Sequence, residues 1–377
     1  MKIILFTILA AVLAGGNPDS NPGGNPARLL TTKAQEQSIA SLQDVRGGEL
    51  FTMDYTADYK LQEFIDADLT SRAELSAAAA KLLLDMSKAG KAVDQTPQPA
   101  CSAFQAVTPD GDIICGRNFD YSFKDGANIM MRTSPSEAYK SLSMVSMNFI
   151  GLDSKALSDG KTDLSMLAAA PLMQMDGMNE KGLSVSVLVV VTDDCAKQYE
   201  EGKHSIMTSV MMRMLLDRAS SVDEAIEMLS HYNFFADGKQ KDRKKGNFSN
   251  YHFLVADATG RSAVIEYIKR DGPGSDSPWI LNVVDENSVT NHFISRGWQH
   301  VGTQDDRLGK IRTALESKKG VLSEEEAMKL LCDVHKEAGE KSKSKTQWSI
   351  VYNLTKKTAS VCVNHNYGNV YRFILQP

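Results

Sequence analysis

The chain has 377 residues, a formal net charge of −5 at pH 7 and five cysteines. This balance excludes the broad basic surface of a nucleic-acid-binding protein, so we predict no nucleic-acid partner. No apolar run is long enough for a transmembrane helix. The first run, residues 3–13 after Lys2, has the charged start and short apolar core of an export signal.

We assign residues 1–16 to this export signal and expect a location in the periplasm or cell envelope. Residues 13–15 match the start of a bacterial lipoprotein signal, but Gly16 follows where the lipid-bearing Cys is required. Residues 17–28 are rich in Gly, Asn and Pro, which is typical of a flexible tether. Such a tether holds a protein off a membrane surface or acts simply as a spacer.

Residues 29–100 predict a helical segment, most clearly between Leu61 and Met86 with its runs of alanine and leucine. Two interpretations are open for it. It is a pro-segment that covers a site until it is cleaved, or it is an ordinary helical subdomain. We favour the pro-segment, because the features with chemical meaning begin at Cys101.

A hairpin is predicted directly after this segment, with strands over residues 101–107 and 112–120 joined by the turn Thr108–Gly111. The turn signal has a mechanism, because its Pro presets φ and its Gly supplies the position with φ > 0. With Val107 opposite Asp112, paired positions sum to 219.

This register places Cys101 opposite Asn118, with Arg117 and Asp120 beside it. A thiol, a guanidinium and a carboxylate therefore meet at one end of the hairpin. The simplest alternative is a buried core cysteine, which is common. Cleavage after Ala100 would instead make Cys101 an N-terminus, whose α-amine, with a pKa of roughly 8, can act as the base for its own thiol.

The rest of the chain is strand-rich, then helical, then strand-rich. Two antiparallel sheets flanked by helices account for this order, and the predicted fold class is α+β. Strands are predicted at residues 182–191, 253–256, 262–267, 348–354, 359–363 and 370–375, and helices at 205–216, at 222–229 after the cap Ser221, and from Ser323 to about 338.

The cysteines other than Cys101 are Cys115, Cys195, Cys332 and Cys362. In an exported protein these four permit three disulfide pairings. No CxxC or His/Cys spacing of a zinc site occurs, so we predict no metal site and no cofactor.

The segment from Cys101 to Phe104, followed by residues 116–121 (GRNFDY), resembles the start of the mature chain in choloylglycine hydrolase-like enzymes. These are N-terminal-nucleophile hydrolases that include bile salt hydrolases, penicillin V acylases and bacterial linear amide C–N hydrolases. The resemblance covers residues 101–377 and implies a four-layer αββα sandwich of two antiparallel sheets for them, after the helical pro-segment. Further similar motifs occur in order at residues 176–183 (DGMNEKGL), 252–257 (HFLVAD), 290–291 (TN), 306–307 (DR) and 347–354 (QWSIVYNL).

The resemblance implies a role for each of five residues. Cys101 is the nucleophile, Arg117 favours its thiolate, and Asp120 orients the charged α-amine. Asn291 matches the family's side-chain oxyanion donor, and Arg307 matches its second arginine. Without the resemblance, Asn291 reads as a turn residue and Arg307 as a residue on a surface helix.

Two departures from the family pattern bear on the substrate. Bile salt hydrolases place a second oxyanion asparagine ten residues after the Asn of the NE-x-GL motif, and Val189 stands there in this chain. The long segment before Cys101 is closer to the acid ceramidase and N-acylethanolamine amidase branch, in which internal autocleavage frees the Cys.

We therefore expect an exported amidase that acts on non-peptide linear amides and forms a homo-oligomer. Alternatives are a bile salt hydrolase or penicillin V acylase-like enzyme, an acyltransferase, and a non-catalytic binding protein of the envelope. A papain-like protease, with His292 beside Asn291, is disfavoured because no Cys-Gly-x-Cys-Trp segment is present.

Overall fold

The computed structural model describes residues 32–84, 100–236, 248–339 and 342–375. The segments assigned to the export signal (1–16) and the tether (17–28) lie outside these residues. Among the described residues, no helix is long and apolar enough to cross a membrane.

The larger of two main sheets contains nine strands within the described residues. Only β2 and β5 are parallel neighbours, and the other pairs are antiparallel. In spatial order the strands are β1 (Gln43–Asp44), β2 (Phe51–Tyr55), β5 (Asn128–Thr133), β6 (Ser141–Ser146), β7 (Gln174–Asn179), β8 (Ser184–Thr192), β11 (Phe248–Ala256), β12 (Ser262–Lys269) and β13 (Trp279–Val284).

The smaller sheet is antiparallel throughout the described residues. Its strands, in spatial order, are β14 (Ser288–Val289), β3 (Ser102–Val107), β4 (Ile113–Tyr121), β15 (Lys345–Asn353), β16 (Thr358–Val363) and β17 (Tyr371–Ile374). The hairpin β3–β4 therefore lies inside this sheet, with β15 along its other side. A separate parallel pair joins β9 (His204–Met207) to β10 (Tyr232–Phe235).

Helices cover the outer faces of the two sheets. Helix α5 packs on β7 and β8 of the larger sheet, and α8 packs on β4 and β15 of the smaller one. The described α-helices are α1 (Lys33–Ala40), α2 (Leu61–Asp66), α3 (Arg72–Leu84), α4 (Ser154–Ser158), α5 (Thr208–Arg218), α6 (Val222–Ser230), α7 (Arg307–Ser317) and α8 (Glu324–Asp333), and 3₁₀ helices span Met147–Ile150 and Ser165–Leu172.

The inner faces of the two sheets meet at a buried carboxylate. Asp176 on β7 accepts hydrogen bonds from Trp348 Nε1 (3.0 Å) and the Tyr352 hydroxyl (2.7 Å), both on β15. The layers are thus helix, sheet, sheet and helix, and the predicted αββα sandwich of class α+β is confirmed.

The segment before Cys101 is not purely helical, so that prediction is only partly right. Residues 51–55 form β2, which pairs in parallel with β5 and alternates buried with more exposed side chains. Phe51, Met53 and Tyr55 point into the core, and this period of two is the strand signal that the helical prediction overlooked. Residues 32–84 therefore extend the large sheet as well as supplying α1 to α3.

Local signals predicted most later elements well. Ser323 caps α8 in a capping box with Glu326, and Ser221 caps α6. Several bounds were wrong: α8 ends at Asp333, β11 begins at Phe248 and β15 at Lys345. The helix predicted from residue 205 begins as β9, because that stretch pairs with β10. All five cysteines lie among the described residues, and none of them forms a disulfide there.

Candidate active site

The β3–β4 hairpin places Cys101 directly before β3, at the end of the hairpin opposite its turn. Its turn is one residue shorter than predicted, because Thr108 N–H donates to the Asp112 carbonyl (2.7 Å) and leaves three residues, 109–111, in the loop. Gly111 occupies the φ > 0 position at 89°. Paired positions consequently sum to 220 rather than 219.

This shift moves Asn118 away from the position that the sequence predicted. Asn118 pairs with Ser102, not with Cys101. Its side chain donates to the Leu331 carbonyl (2.8 Å) and accepts from the Ser349 hydroxyl (2.6 Å), on the side of helix α8. Asn118 therefore anchors α8 to the sheet.

Arg117 lies beside the thiol, as predicted. Its Nη2 is 3.6 Å from Cys101 Sγ, and its Nε is 3.5 Å from the Asp176 carboxylate. Arg117 is only 1% exposed, so Asp176 compensates its charge in the interior. The Arg117 guanidinium thus lies between the Cys101 thiol and the Asp176 carboxylate, at the junction of the two sheets.

The net effect on the thiol differs from the expectation of a lowered pKa. Burial raises the pKa of Cys101, and the nearby Asp120 carboxylate raises it further. The positive charge of Arg117 opposes both but does not overcome burial. With residue 100 still attached, Cys101 is 2% exposed and remains a neutral thiol at pH 7.

Asp120 is completely buried and bonded on both carboxylate oxygens. Its Oδ2 accepts from Arg307 Nη1 (3.1 Å), and its Oδ1 accepts from the Thr346 hydroxyl (2.5 Å). Burial raises the pKa of Asp120 to about 6, while Arg307 and Thr346 stabilise the carboxylate. Asp120 consequently titrates just below neutrality.

Arg307, the first residue of α7, connects the remaining groups. Its Nη1 also donates to the Cys101 carbonyl (3.1 Å), and its Nη2 donates to Asn291 Oδ1 (3.1 Å). Asp305 holds the other edge of the guanidinium through Nε at 2.8 Å and Nη2 at 2.6 Å. The planar guanidinium of Arg307 therefore holds the Cys101 carbonyl, the Asp120 carboxylate and the Asn291 amide in fixed relative positions.

Asn291 is fully buried, and Arg307 determines which way its amide faces. With Oδ1 held by Arg307, the amide nitrogen donates to the Val189 carbonyl at 2.8 Å. An NH₂ group has two donors, so one N–H remains for a substrate oxyanion. Val189 thus supplies an acceptor that orients Asn291.

Three further residues fix the loop that carries Asn291. His252 is 2.6 Å from the Thr290 carbonyl through Nε2 and 3.1 Å from Glu266 through Nδ1. Glu266 also accepts the backbone N–H groups of residues 294 and 295, at 2.8 and 2.9 Å. On the opposite side is Gly302, with φ 108°, where a Cβ would come within 2.5 Å of the Asn291 carbonyl.

All five residues predicted for the site are brought together: Cys101, Arg117, Asp120, Asn291 and Arg307 form one connected cluster. The sequence did not assign the supporting groups, which include Asp176, His252, Glu266, Asp305 and Thr346. Asp176 and His252 open two of the motifs quoted above, and Thr346 directly precedes a third. That position beside the motifs was the available signal.

Comparison with known proteins places this cluster in a family. Residues 101–272 match the model of the linear amide C–N hydrolases of the choloylglycine hydrolase family, and the match begins at the candidate nucleophile. Residues 101–272 belong to the choloylglycine hydrolase family. The chain is accordingly a hydrolase of linear amide C–N bonds.

Three of the solved structures that are similar to this chain share low sequence identity with it. A variant of conjugated bile acid hydrolase from Clostridium perfringens is 18% identical, with a TM-score of 0.49 over 73% of this chain and 92% of its own. Penicillin V acylase from Agrobacterium tumefaciens is 17% identical, with a TM-score of 0.47 over 73% and 86%. A Caenorhabditis elegans orthologue of N-acylethanolamine-hydrolyzing acid amidase is 15% identical, with a TM-score of 0.35 over 68% and 93%. No curated protein matches in sequence.

Proposed function

We propose that this chain is an exported cysteine amidase that hydrolyses N-acyl amides, after autocleavage between Ala100 and Cys101. The observation that carries the proposal is the cluster itself. Four separate stretches of chain deliver a thiol, two guanidiniums, a carboxylate and an amide into direct contact, and these groups match the requirements of acyl transfer.

In the proposed reaction, the α-amine of a freed Cys101 takes the proton from the thiol. The thiolate then attacks the substrate carbonyl carbon, and the N–H of Asn291 supports the oxyanion. The C–N bond breaks as the α-ammonium returns its proton to the leaving amine. Water attacks the resulting thioester, which releases a carboxylic acid and restores the thiol.

The first cleavage uses the same atoms. The thiol of Cys101 attacks the carbonyl of Ala100, and the acyl group shifts from nitrogen to sulfur. Water hydrolyses this thioester and leaves a free α-amine on Cys101. Burial supports this order of events: Ala100 is 1% and Cys101 2% exposed, so a substrate has no approach to the sulfur while residue 100 is attached.

Arg307 and Asp120 are suited to guide this step. Arg307 holds the Cys101 carbonyl at 3.1 Å, which fixes the backbone next to the cleaved bond. The Asp120 carboxylate, held by the same guanidinium, provides a counter-charge for the new ammonium. Arg117 provides positive charge beside the sulfur at 3.6 Å.

Val189 supports simple N-acyl amides over conjugated bile salts as substrates. A valine side chain offers no hydrogen bond to an oxyanion, and the Val189 carbonyl is occupied by Asn291. The proposed oxyanion site therefore rests on a single side-chain donor.

Intact-mass analysis tests the cleavage step. We expect purified protein to yield a fragment that begins at Cys101, and we expect Cys101→Ala to remain uncut. Cys332→Ala is the matched control, because this thiol is more exposed and lies outside the cluster. An active chain that keeps Ala100 joined to Cys101 would contradict the N-terminal-nucleophile mechanism.

A substrate panel tests the specificity. Fatty-acyl and phenoxyacetyl amides should be hydrolysed faster than glycocholate and taurocholate. If both bile salts outpace every simple amide, the choice of N-acyl amides is wrong, although the amidase mechanism would stand. Loss of all hydrolysis in Cys101→Ala, with activity kept in Cys332→Ala, distinguishes the two failures.

A further inference from the structure

Three potential metal ligands lie together after helix α8, outside the cluster around Cys101. His335 and Glu337 follow the end of α8, and His365 follows strand β16. One ligand atom from each residue lies within 4.8 Å of the other two. His335 Nε2 and Glu337 Oε1 are already 3.4 Å apart.

The orientation of His335 favours a cation at this place. Its Nδ1 is 2.5 Å from the Cys332 carbonyl, which can only accept, so Nδ1 carries the proton. In the neutral ring, Nε2 then presents a lone pair to the Glu337 carboxylate. Two acceptors that face each other are stabilised by a cation between them.

His365 approaches from the other side. Its buried Nε2 has no hydrogen-bond partner among the described residues, so this nitrogen is available to a cation.

The backbone of His365 lies in the left-handed region, with a φ of 59°, where histidine is more common than most other residues with a side chain. The centroids of the His365 and His335 rings are 4.8 Å apart.

We propose that His335, Glu337 and His365 bind one divalent transition-metal ion of the zinc class. Two imidazoles and one carboxylate suit Zn²⁺, whose bonds of about 2.1 Å place tetrahedral ligands roughly 3.3–3.5 Å apart. The His335–Glu337 distance meets that requirement. His335 donates its second nitrogen to the Cys332 carbonyl, which is the usual support of a metal-bound histidine.

This site departs from the expectation of no metal, because its three ligands follow no Cys or His spacing of a zinc motif. Only the meeting of α8 with the end of β16 brings them together. A water molecule would complete the coordination, since the described chain supplies three ligands.

Hydrogen bonds of the Lys336 backbone connect the proposed metal site to the catalytic cluster. This residue lies between two of the ligands, and its N–H donates to Thr346 Oγ1 at 2.8 Å while its carbonyl accepts from Thr346 N–H at 2.8 Å. Thr346 in turn donates to Asp120. A bound ion would thus restrict the movement of the segment that positions Asp120, without contacting substrate.

Calorimetric titration of tag-free protein with Zn²⁺ tests the site. The Cys101→Ala full chain is used, because it removes the catalytic thiol as a competing ligand. We expect one Zn²⁺ per chain, and an affinity at least about tenfold weaker in His335→Asn and in His365→Asn. Asn at position 365 tolerates the positive φ. His231→Asn, an exposed histidine elsewhere on the surface, is the matched control and should bind as the parent does.

A second readout identifies the ligands in the folded protein. Co²⁺ should produce a visible d–d absorption spectrum in the parent that Zn²⁺ abolishes, and Glu337→Gln should change its intensity. Equal Zn²⁺ binding by the parent, His335→Asn and His365→Asn would overturn the proposal, as would absence of stoichiometric binding by the parent. Circular dichroism confirms that each variant is folded.

Discussion

Replacement of Arg307 by alanine is the most direct test of how the site is built. This side chain donates to Asp120, to Asn291 and to the Cys101 carbonyl, each at 3.1 Å. Its removal leaves a buried carboxylate without its main counter-charge. It also frees the amide of Asn291 to rotate away from the substrate carbonyl.

The expected magnitude follows from these contacts. A misdirected oxyanion donor typically costs about 2.7–4 kcal/mol of transition-state stabilisation. Arg307→Ala should therefore lower kcat/KM by about 100- to 1000-fold. Because Arg307 is the strongest influence that lowers the pKa of Asp120, its loss should also move that pKa above its present value of about 6.

The assay is the pH dependence of kcat/KM for the best amide of the panel. The reaction needs the ionised carboxylate of Asp120, so kcat/KM should rise as the pH increases through the pKa of Asp120. Arg307→Ala should shift this rise, the acid limb of the profile, to higher pH. Arg307→Lys keeps the charge but loses the fork, so the limb should stay near pH 6 while kcat/KM still falls. Arg312→Ala is the control, since Arg312 lies on the same helix and pairs with Glu286, at 3.2 Å, on the surface. An Arg307→Ala enzyme within about threefold of wild type, with an unmoved limb, would refute this account.

Four further results are expected. Arg117→Ala should lose about 3–5 kcal/mol of unfolding free energy, because it leaves Asp176 buried without its cation, and an unchanged urea midpoint would contradict this. Gly302→Ala should reduce kcat, because its Cβ would press on the backbone of the loop that carries Asn291. Gly309→Ala is the control and should leave kcat unchanged, because there is open space around this position on α7. Equal kinetics for the two variants would show that the loop adjusts to the added methyl group without loss of activity. Glu266→Gln should weaken the hold on the same loop and lower kcat by at least about tenfold with little change in KM, and a KM effect alone would argue against positioning. After cleavage, residues 32–84 should stay bound to the rest of the protein, because β2 pairs with β5. The two fragments should therefore co-elute in size-exclusion chromatography until denaturant is added. Separation of the fragments in buffer would show that the folded enzyme does not need this segment.

Local signals in the sequence were sufficient where the structure depends on neighbouring residues. The Pro-Asp-Gly turn predicted the hairpin that positions Cys101, and the Ser323 cap predicted the start of α8. The resemblance of ordered motifs then identified the five residues that the structure brings into contact. These features share a short range, because a turn or a cap is decided within three or four residues.

The exact closure of one turn and the pairing of distant segments decided the rest. The hairpin register shifted by one residue because Thr108 closes the turn on Asp112, a hydrogen bond that composition alone does not indicate. Arg307 reaches Asp120 across 187 residues, and only the folded sheets show that one guanidinium serves the nucleophile, the carboxylate and the amide. The sequence by itself determined the fold class and the type of bond that is hydrolysed, and it predicted Cys101 as the nucleophile. The tertiary structure decided which groups support them, because burial and charge pairing arise only when distant segments meet.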